Sequence, residues 1–540
     1  MATLEDGAVF DFIVTGAGSA GCAVAGRLSE TGRYSVLLLE AGPKDTSPWI
    51  HIPLGFTKVF TDEKVNWKFE SEPVEALNNR VLYQPRGKVL GGSSSINGTI
   101  YMRGAAADYD EWRQRGLEGW DWDSVLPFFK KAEDNERGED ELHGAGGPLR
   151  VSDIPHPWDL PNAMIAAAVE SGIPANPDFN GPEQEGTGLF QFTASKHRRW
   201  SSARAYLKPA RNRKNLHVET SAHARRILIE DGRAVGVEFQ SPSGIHEVRA
   251  RHEVIVSGGA FSSPPLLQLS GIGPGDLLRE MDIPIHRDLP GIGANLRDHF
   301  NTYMSFRCAQ PVTMNDLANS LPRRLLAGAQ YALFQKGPLT NTAICAGAFI
   351  RSNPRLERPD IQINMFSWSA LSRNPERIRP HPFSAFSLSP VHLRPDCDGS
   401  VRIKSPDPMA PPEIKYQFLR TKYDEEAILH GMRVCRDIAN QPALSDYMVE
   451  EVLPGASVAS DEELLEDVRA RGIANYHPVG SCRMGSEVDS ATDARLRVHG
   501  IAGLRIADAS VMPSIIAGNT NAPTIMIGEK AAAMILEDAA

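Results

Sequence analysis

The stretch NYHPVGSCRMG, beginning at Asn475, puts His477, Ser481 and Cys482 within six positions. Three chemistries use such residues: a metal site, a thiol nucleophile beside its base, and an isolated general base. Zinc needs three or four ligands, and the block supplies only His477 and Cys482, with no CxxC or HxxxH nearby. A nucleophilic Cys482 would need exposure next to its base, whereas a small Cys between Ser481 and Arg483 also serves as packing. A neutral imidazole, ordinary pKa ~6.5, suits proton transfer near neutral pH, and Pro478 restricts the backbone just after it. A hydrogen-bonded structural histidine is the reading that the block alone leaves open.

A second chemical signal lies near the N-terminus, where Gly16, Gly18 and Gly21 of VTGAGSAGCAV form GxGxxG. The first glycine permits a tight turn, the second lets backbone approach a pyrophosphate, and the third lets helix pack on strand. Phosphate then sits at the helix N-terminus. Glu40 follows Gly21 by nineteen residues at the end of a second apolar strand, where its carboxylate can accept both ribose hydroxyls of an adenosine. An acid there disfavours a 2′-phosphate, so FAD or NAD is expected over NADP. The stretch PRGKVLGGSSSINGTIYMRG from Pro85 is not a P-loop: Val89 follows Lys88, and no GxxxxGK precedes it. Gly91 and Gly92, with small hydroxyl residues, let main chain lie against something flat or anionic; a structural loop is the alternative.

These residues need elements to hold them. Val9–Val14 reads as a strand, a small-residue helix opens near Ser19, and a strand ends at Glu40. From Asn215 the pattern alternates as a strand pair around Asp231-Gly232; from His252 it gives a buried strand, a Gly-Gly turn and a helix opening. Between about Gln310 and Ser460, Pro-rich loops and scattered aromatics suit an antiparallel lobe covering a pocket. The tail reads as a short strand, a loop and an apolar helix from about Asn521. At 540 residues the chain exceeds one ordinary core. Its net charge of −10 argues against a nucleic-acid partner, and the basic run from Lys196 reads as a solvated face. Six cysteines without CxxC fit a reducing compartment. No apolar run approaches the ~18–20 residues of a membrane span. MATLEDGAVFDF carries acids where a secretory signal has Lys or Arg, so a cytoplasmic protein is expected.

Five blocks resemble the glucose-methanol-choline oxidoreductase family in order and spacing: GAGSAG with Glu40, GKVLGGSSSING, GAFSSPPLLQLSGIGP, NYHPVGSCRMG and ADASVMPSIIAGNTNAPTIMIGEKAA. The likeness, to the choline-dehydrogenase-like branch, covers nearly the whole chain. It implies an α/β fold: a Rossmann-like FAD-binding domain over 8–160, 206–308 and 465–540. An inserted α+β substrate-binding domain on an antiparallel sheet would comprise 161–205 and 309–464. Carried over by residue, Gly16, Gly18, Ser19 and Ala20 would meet the FAD pyrophosphate and Glu40 the ribose. Val89, Gly92, Ser93, Asn97 and Gly98 match positions near pyrophosphate and flavin, and Ala224 an adenine contact. Asp508, Ala509, Asn519, Thr520 and Thr524 match the segment closing around the ribityl chain and pyrimidine ring, and Trp67 is a candidate cofactor wall. Some choline oxidases attach flavin to a histidine two residues before the position of Gly98; Ile96 stands there, so FAD is expected to be non-covalent.

The family pairs the histidine of the NYHPVG block with a His or Asn about forty residues on, and Asn521 lies forty-four beyond His477. The expected activity is oxidation of a primary alcohol to the aldehyde, with hydride passing to flavin N5. His477 would be the general base and Asn521 the hydrogen-bond donor to the alkoxide; a helix N-cap is the structural alternative for Asn521, and the two roles are compatible. Electrons would pass to oxygen or another acceptor. Met102, Phe366, Trp368 and Tyr476 are candidate substrate contacts. No metal is expected, and the molecule would be a monomer or homodimer. The family's fold also hosts hydroxynitrile lyases and a photodecarboxylase, so a hydroxynitrile lyase or other non-redox enzyme on the same FAD fold is the alternative function.

Overall fold

Val36–Glu40 is buried at every position and Ala8–Thr15 along its last four, as parallel strands covered on both faces must be. The computed structural model describes residues 6–154, 159–195, 197–372, 378–486 and 489–540. It places these two strands in a seven-stranded sheet ordered Leu216–Thr220, Val36–Glu40, Ala8–Thr15, Gly244–Val256, Arg233–Ser241, His223–Glu230. Leu504–Ile506 adds beside Gly244–Val256. The pairings across 216–220, 36–40, 8–15, 244–256 and 504–506 are parallel, while 223–256 returns as an antiparallel meander around Asp231-Gly232.

Helix Ser19–Leu28 begins at the glycine turn. Gly16 has φ +99°, and a Cβ on it would meet the Ser257 carbonyl oxygen at 2.5 Å; a Cβ on Gly21 would lie 1.9 Å from the Gly16 oxygen. The closing helix, Asn521–Asp538, packs on Ser19–Leu28, and the start of each faces the same turn. Ser19 Oγ donates to Asn521 Oδ1 at 2.8 Å, joining the two starts.

The second sheet has eight strands, and every pairing in it is antiparallel. Its main path runs Met448–Leu453, Met304–Cys308, Ala385–His392, Ile361–Phe366, Ile344–Ile350, Gly186–Leu189. Helices Lys422–Ala439 and Asp159–Glu170 cover it, burying Ile428, Met432 and Met164 against Ile361, Ile363 and Phe386 in a core of its own. The short strands Phe300–Asn301 and Ile473–Ala474 complete this sheet, with Phe300 opposite Ala474 and Asn301 opposite Ile473. Residues 300–308 and 473–474 therefore hydrogen-bond into the second sheet, although the sequence-drawn boundaries assign them to the FAD-binding segments. Their backbone N–H and C=O groups need ladder partners: Val391–His392 pairs with 300–301, Ala385–Leu388 with 304–307, and 473–474 with 300–301. That register carries the site: the next N–H along, from Asn475, donates to the His299 carbonyl at 2.8 Å.

Gly21→Ala should cost about 1–3 kcal/mol, because the added methyl meets backbone that cannot rotate away. Thermal unfolding should show a clear drop in Tm relative to Gly328→Ala, where nothing lies within 4 Å of the added atom. Equal Tm values would contradict this packing.

Candidate active site

A single cavity of about 1010 Å³ is lined from both sheets, at the top of the ~300–1,000 Å³ range usual for small-molecule sites. One end is the glycine turn. Gly16, Gly18, Ser19 and Ala20 line it, and Glu40 faces them, accepting N–H bonds from Ala17 at 3.0 Å and Gly42 at 2.8 Å. Those bonds orient the carboxylate, and each oxygen keeps a lone pair for a ligand hydroxyl. Burial pushes its pKa up to about 7, against the two N–H donors and the charge of Lys88. Gly92, Ser93, Asn97, Gly98, Trp67, Ala224, Asp508, Ala509, Thr520 and Thr524 continue the wall. A Cβ on Gly92 would meet Gly18 Cα at 2.7 Å, so two glycine-rich segments close on each other around the same space. Asp508 is spent on structure, accepting from Gly259 N–H and Ser263 Oγ.

The other end is built around His477. Tyr476 holds φ +64°, rare for a bulky residue, and its carbonyl accepts from Arg86 Nη2. The His477 N–H donates to Asp298 Oδ1 at 2.8 Å, and Tyr416 donates to Asp298 Oδ2 at 3.1 Å. Burial pushes the Asp298 pKa up to about 7, partly offset by the His477 N–H and Arg86. The His477 ring opens on the cavity, not on bulk water. Its pKa is pulled down to about 3 by burial and by the Arg86 guanidinium.

The proton positions follow from one backbone oxygen. The Ile516 carbonyl lies 3.0 Å from His299 Nε2, so that nitrogen carries the N–H. Burial and the neighbouring His477 hold the His299 pKa well below its usual value, so the ring is neutral and its Nδ1 is a lone pair. His477 Nδ1, 3.0 Å away, must then donate, which leaves His477 Nε2 as the basic lone pair. Asn519 Nδ2 sits 3.1 Å from that Nε2 and donates to it. Asn475 Nδ2 lies 3.3 Å from His477 Nδ1 as a neighbour only, since an N–H there opposes the one that His299 requires. Asn519 Oδ1 is buried with no hydrogen-bond partner among the described residues.

Four sequence expectations are corrected by this geometry. Asn521 does not meet His477: as first residue of its helix it turns toward Ser19, and Asn519, two residues earlier on the preceding loop, reaches the imidazole. Val89 does not line the cavity; it packs with Ile50, Val59, Val65 and Ile96. Met102 is core rather than pocket wall, wedged under the Asn519 loop where a Cβ on Gly518 would touch its Cγ at 2.5 Å. The basic run is not wholly solvated, because Arg199 is buried and donates to the Ile50 and Ser94 carbonyls and to Asn97 Oδ1. Phe366, Trp368 and Tyr476 do line the cavity, with Asn301, Ile344, Asn364 and Asn475. Sequence reasoning missed Arg86, Asp298, His299 and the wall Ser257–Phe261. The Gly258-Gly259 turn after a buried strand carried a readable signal, since it repeats the logic of the first glycine turn. Nothing around Asp298-His299 did.

A glycine-turn nucleotide site joined through one cavity to a neutral, tautomer-fixed imidazole defines a dinucleotide-dependent oxidoreductase. The chain belongs to the GMC oxidoreductase family, whose N-terminal model matches residues 10–301 and whose C-terminal model matches residues 395–528. It is an FAD-dependent alcohol oxidoreductase. It is 40% identical to an alcohol dehydrogenase [acceptor] of Pseudomonas putida, over 98% of this chain and 96% of that one. It is 42% identical to an oxygen-dependent choline dehydrogenase of Rhizobium rhizogenes, over 97% and 95%. Among solved structures, pyridoxine 4-oxidase from Mesorbium loti matches with a TM-score of 0.87 and 31% identity, covering 97% of this chain and 98% of that one. The residues fit FAD: the facing glycines leave room for a pyrophosphate, and the orphaned Asn519 Oδ1 asks for a donor. Among the described residues no helix is long and apolar enough to cross a membrane.

In protein carrying ¹⁵N-histidine, His477 should read as the Nδ1–H tautomer and His299 as the Nε2–H tautomer. Both should stay neutral from pH 8 to about 5, given the downward shifts. Titration of His477 near 6.5 would contradict the assignment.

Proposed function

We propose that the protein oxidises an uncharged primary alcohol to the aldehyde, with His477 as general base and Asn519 as donor to the substrate oxygen. The observation that carries this reading is the lone pair on His477 Nε2, facing the cavity beside the Asn519 amide. A hydroxyl entering between them gives its proton to Nε2 and accepts from Asn519 Nδ2. The Arg86 guanidinium that lowers the imidazole pKa also favours negative charge on that oxygen. FAD, when bound, supplies the two-electron acceptor for the hydride leaving the substrate carbon. Ile96, Asn97, Gly98, Thr99 and Ile100 line this part of the cavity without His, Cys or Tyr, which supports non-covalent FAD.

Among the described residues the cavity carboxylates are Glu40, Glu70, Glu72 and Asp508, and none is hydrogen-bonded to the groups around His477. Asn301, Asn364 and Asn475, with Phe366, Trp368 and Tyr476, surround that end instead. Amides and aromatics suit a neutral hydroxymethyl compound better than a quaternary ammonium, which lacks a counter-ion there.

Anaerobic mixing with a benzylic or aliphatic primary alcohol should bleach the flavin. His477→Ala should keep its flavin and lose nearly all of that reduction; Asn519→Ala should lose about 10²–10³-fold. Asn521→Ala should instead weaken FAD retention. Reduction of the His477→Ala enzyme at the wild-type rate would sink the proposal. Because His477 must be neutral and its folded pKa is lowered to about 3, the reduction rate should be full above that value. It should be lost only as pH falls toward it. An acid limb near pH ~6.5, the unperturbed value, would argue for a different base.

A further inference from the structure

A surface helix normally turns its apolar stripe inward, and Leu321–Phe334 turns it outward. Ala327 is the only buried residue of this helix, while Leu321 is 59%, Leu325 65%, Leu326 60% and Leu333 74% exposed. At about 100° per residue, Leu321, Leu325, Leu326, Ala329 and Leu333 fall in one stripe roughly 140° wide. Solitary exposed leucines are ordinary, but a contiguous stripe on one helix marks an interaction surface.

The charge around it selects the partner. Arg323 and Arg324 on the helix and Lys336 just after it are exposed, and residues 321–336 carry no Asp or Glu, in a chain of net charge −10. An outward leucine stripe flanked by guanidinium and ammonium groups complements a surface that is apolar beneath and anionic above. A second copy of this acidic chain offers the anions without the acyl layer. The helix also sits beside the cavity wall. Tyr331 donates to the His197 carbonyl at 3.1 Å, and Pro338–Thr340 packs on Pro53–Gly55, whose continuation gives Phe56 and Phe60 to the cavity.

We propose that Leu321–Phe334 is a peripheral docking helix for an anionic lipid bilayer. The leucine stripe enters the boundary of headgroups and acyl chains, and Arg323, Arg324 and Lys336 meet lipid phosphates. This docking sets the Phe56–Phe60 wall alongside the bilayer. The assignment stands apart from the substrate reading, since it concerns a surface away from His477.

FAD-loaded protein is floated with phosphatidylcholine vesicles made with or without phosphatidylglycerol. Binding should be about tenfold stronger with the anionic lipid and should weaken with added salt. Leu325→Glu/Leu333→Glu should lose about tenfold or more of that binding while keeping flavin absorbance and turnover of a water-soluble alcohol. A second measurement uses Leu333→Cys carrying an environment-sensitive dye, because all six native cysteines are buried. Its emission should shift to the blue on anionic vesicles. Absent flotation, equal flotation of the double variant or an unshifted dye each overturns the proposal. So does a doubled particle mass that the double variant abolishes, which would put a second copy on the stripe.

Discussion

The carbonyl of Ile516 governs the proton positions at the far end of the cavity. It can only accept, so it fixes a proton on His299 Nε2, and a neutral ring has one N–H to spend. The consequence passes through His299 Nδ1 to His477 Nδ1 and leaves His477 Nε2 as the unprotonated nitrogen, which accepts from Asn519. The relay holds only while both rings stay neutral. Burial favours that, since a second proton would place charge in a poorly solvated space, beside Arg86 for His477 and near Arg394 for His299.

Both lobes are needed to bring these atoms together. His299 and His477 flank the paired strands Phe300–Asn301 and Ile473–Ala474 of the antiparallel sheet. Ile516 and Asn519 come from the loop between Leu504–Ile506 of the parallel sheet and the closing helix. Asp108 ties that loop down: its Oδ2 accepts the Ala517 N–H at 2.7 Å, while Oδ1 receives Arg358 and Arg394 from the second lobe. Met102 supports the loop from below at Gly518. A shift between lobes would therefore change the hydrogen-bond partner of the imidazole before it changed anything at the glycine turn.

The nucleotide end was legible because its determinants are local. Turn, helix opening and carboxylate lie within about thirty residues of chain, and GxGxxG states the close approaches that the contacts at Gly16 and Gly21 display. The strand from residue 8, the helix from Ser19 and the hairpin at Asp231-Gly232 appear where periodicity and turn residues put them. The reactive end was legible only in part. His477 stood out, but spacing pointed to Asn521 as its partner, while Asn519, in the same short segment, read only as a cofactor contact. Which of them reaches the ring depends on where the helix starts, because the first helical residue turns to Ser19 while the loop residue before it does not.

By itself, then, the sequence determined the fold class, the dinucleotide turn and the histidine, since each rests on residue types at short separations. Tertiary structure alone decided the tautomer of that histidine, its neutrality, the amide that serves it and the membership of residues 300–308 in the second sheet. The physical reason is the distance along the chain. A hydrogen bond between residues 299 and 477, or between 477 and 519, depends on strand register and lobe packing. Burial, which sets the pKa values, is a property of the assembled cavity.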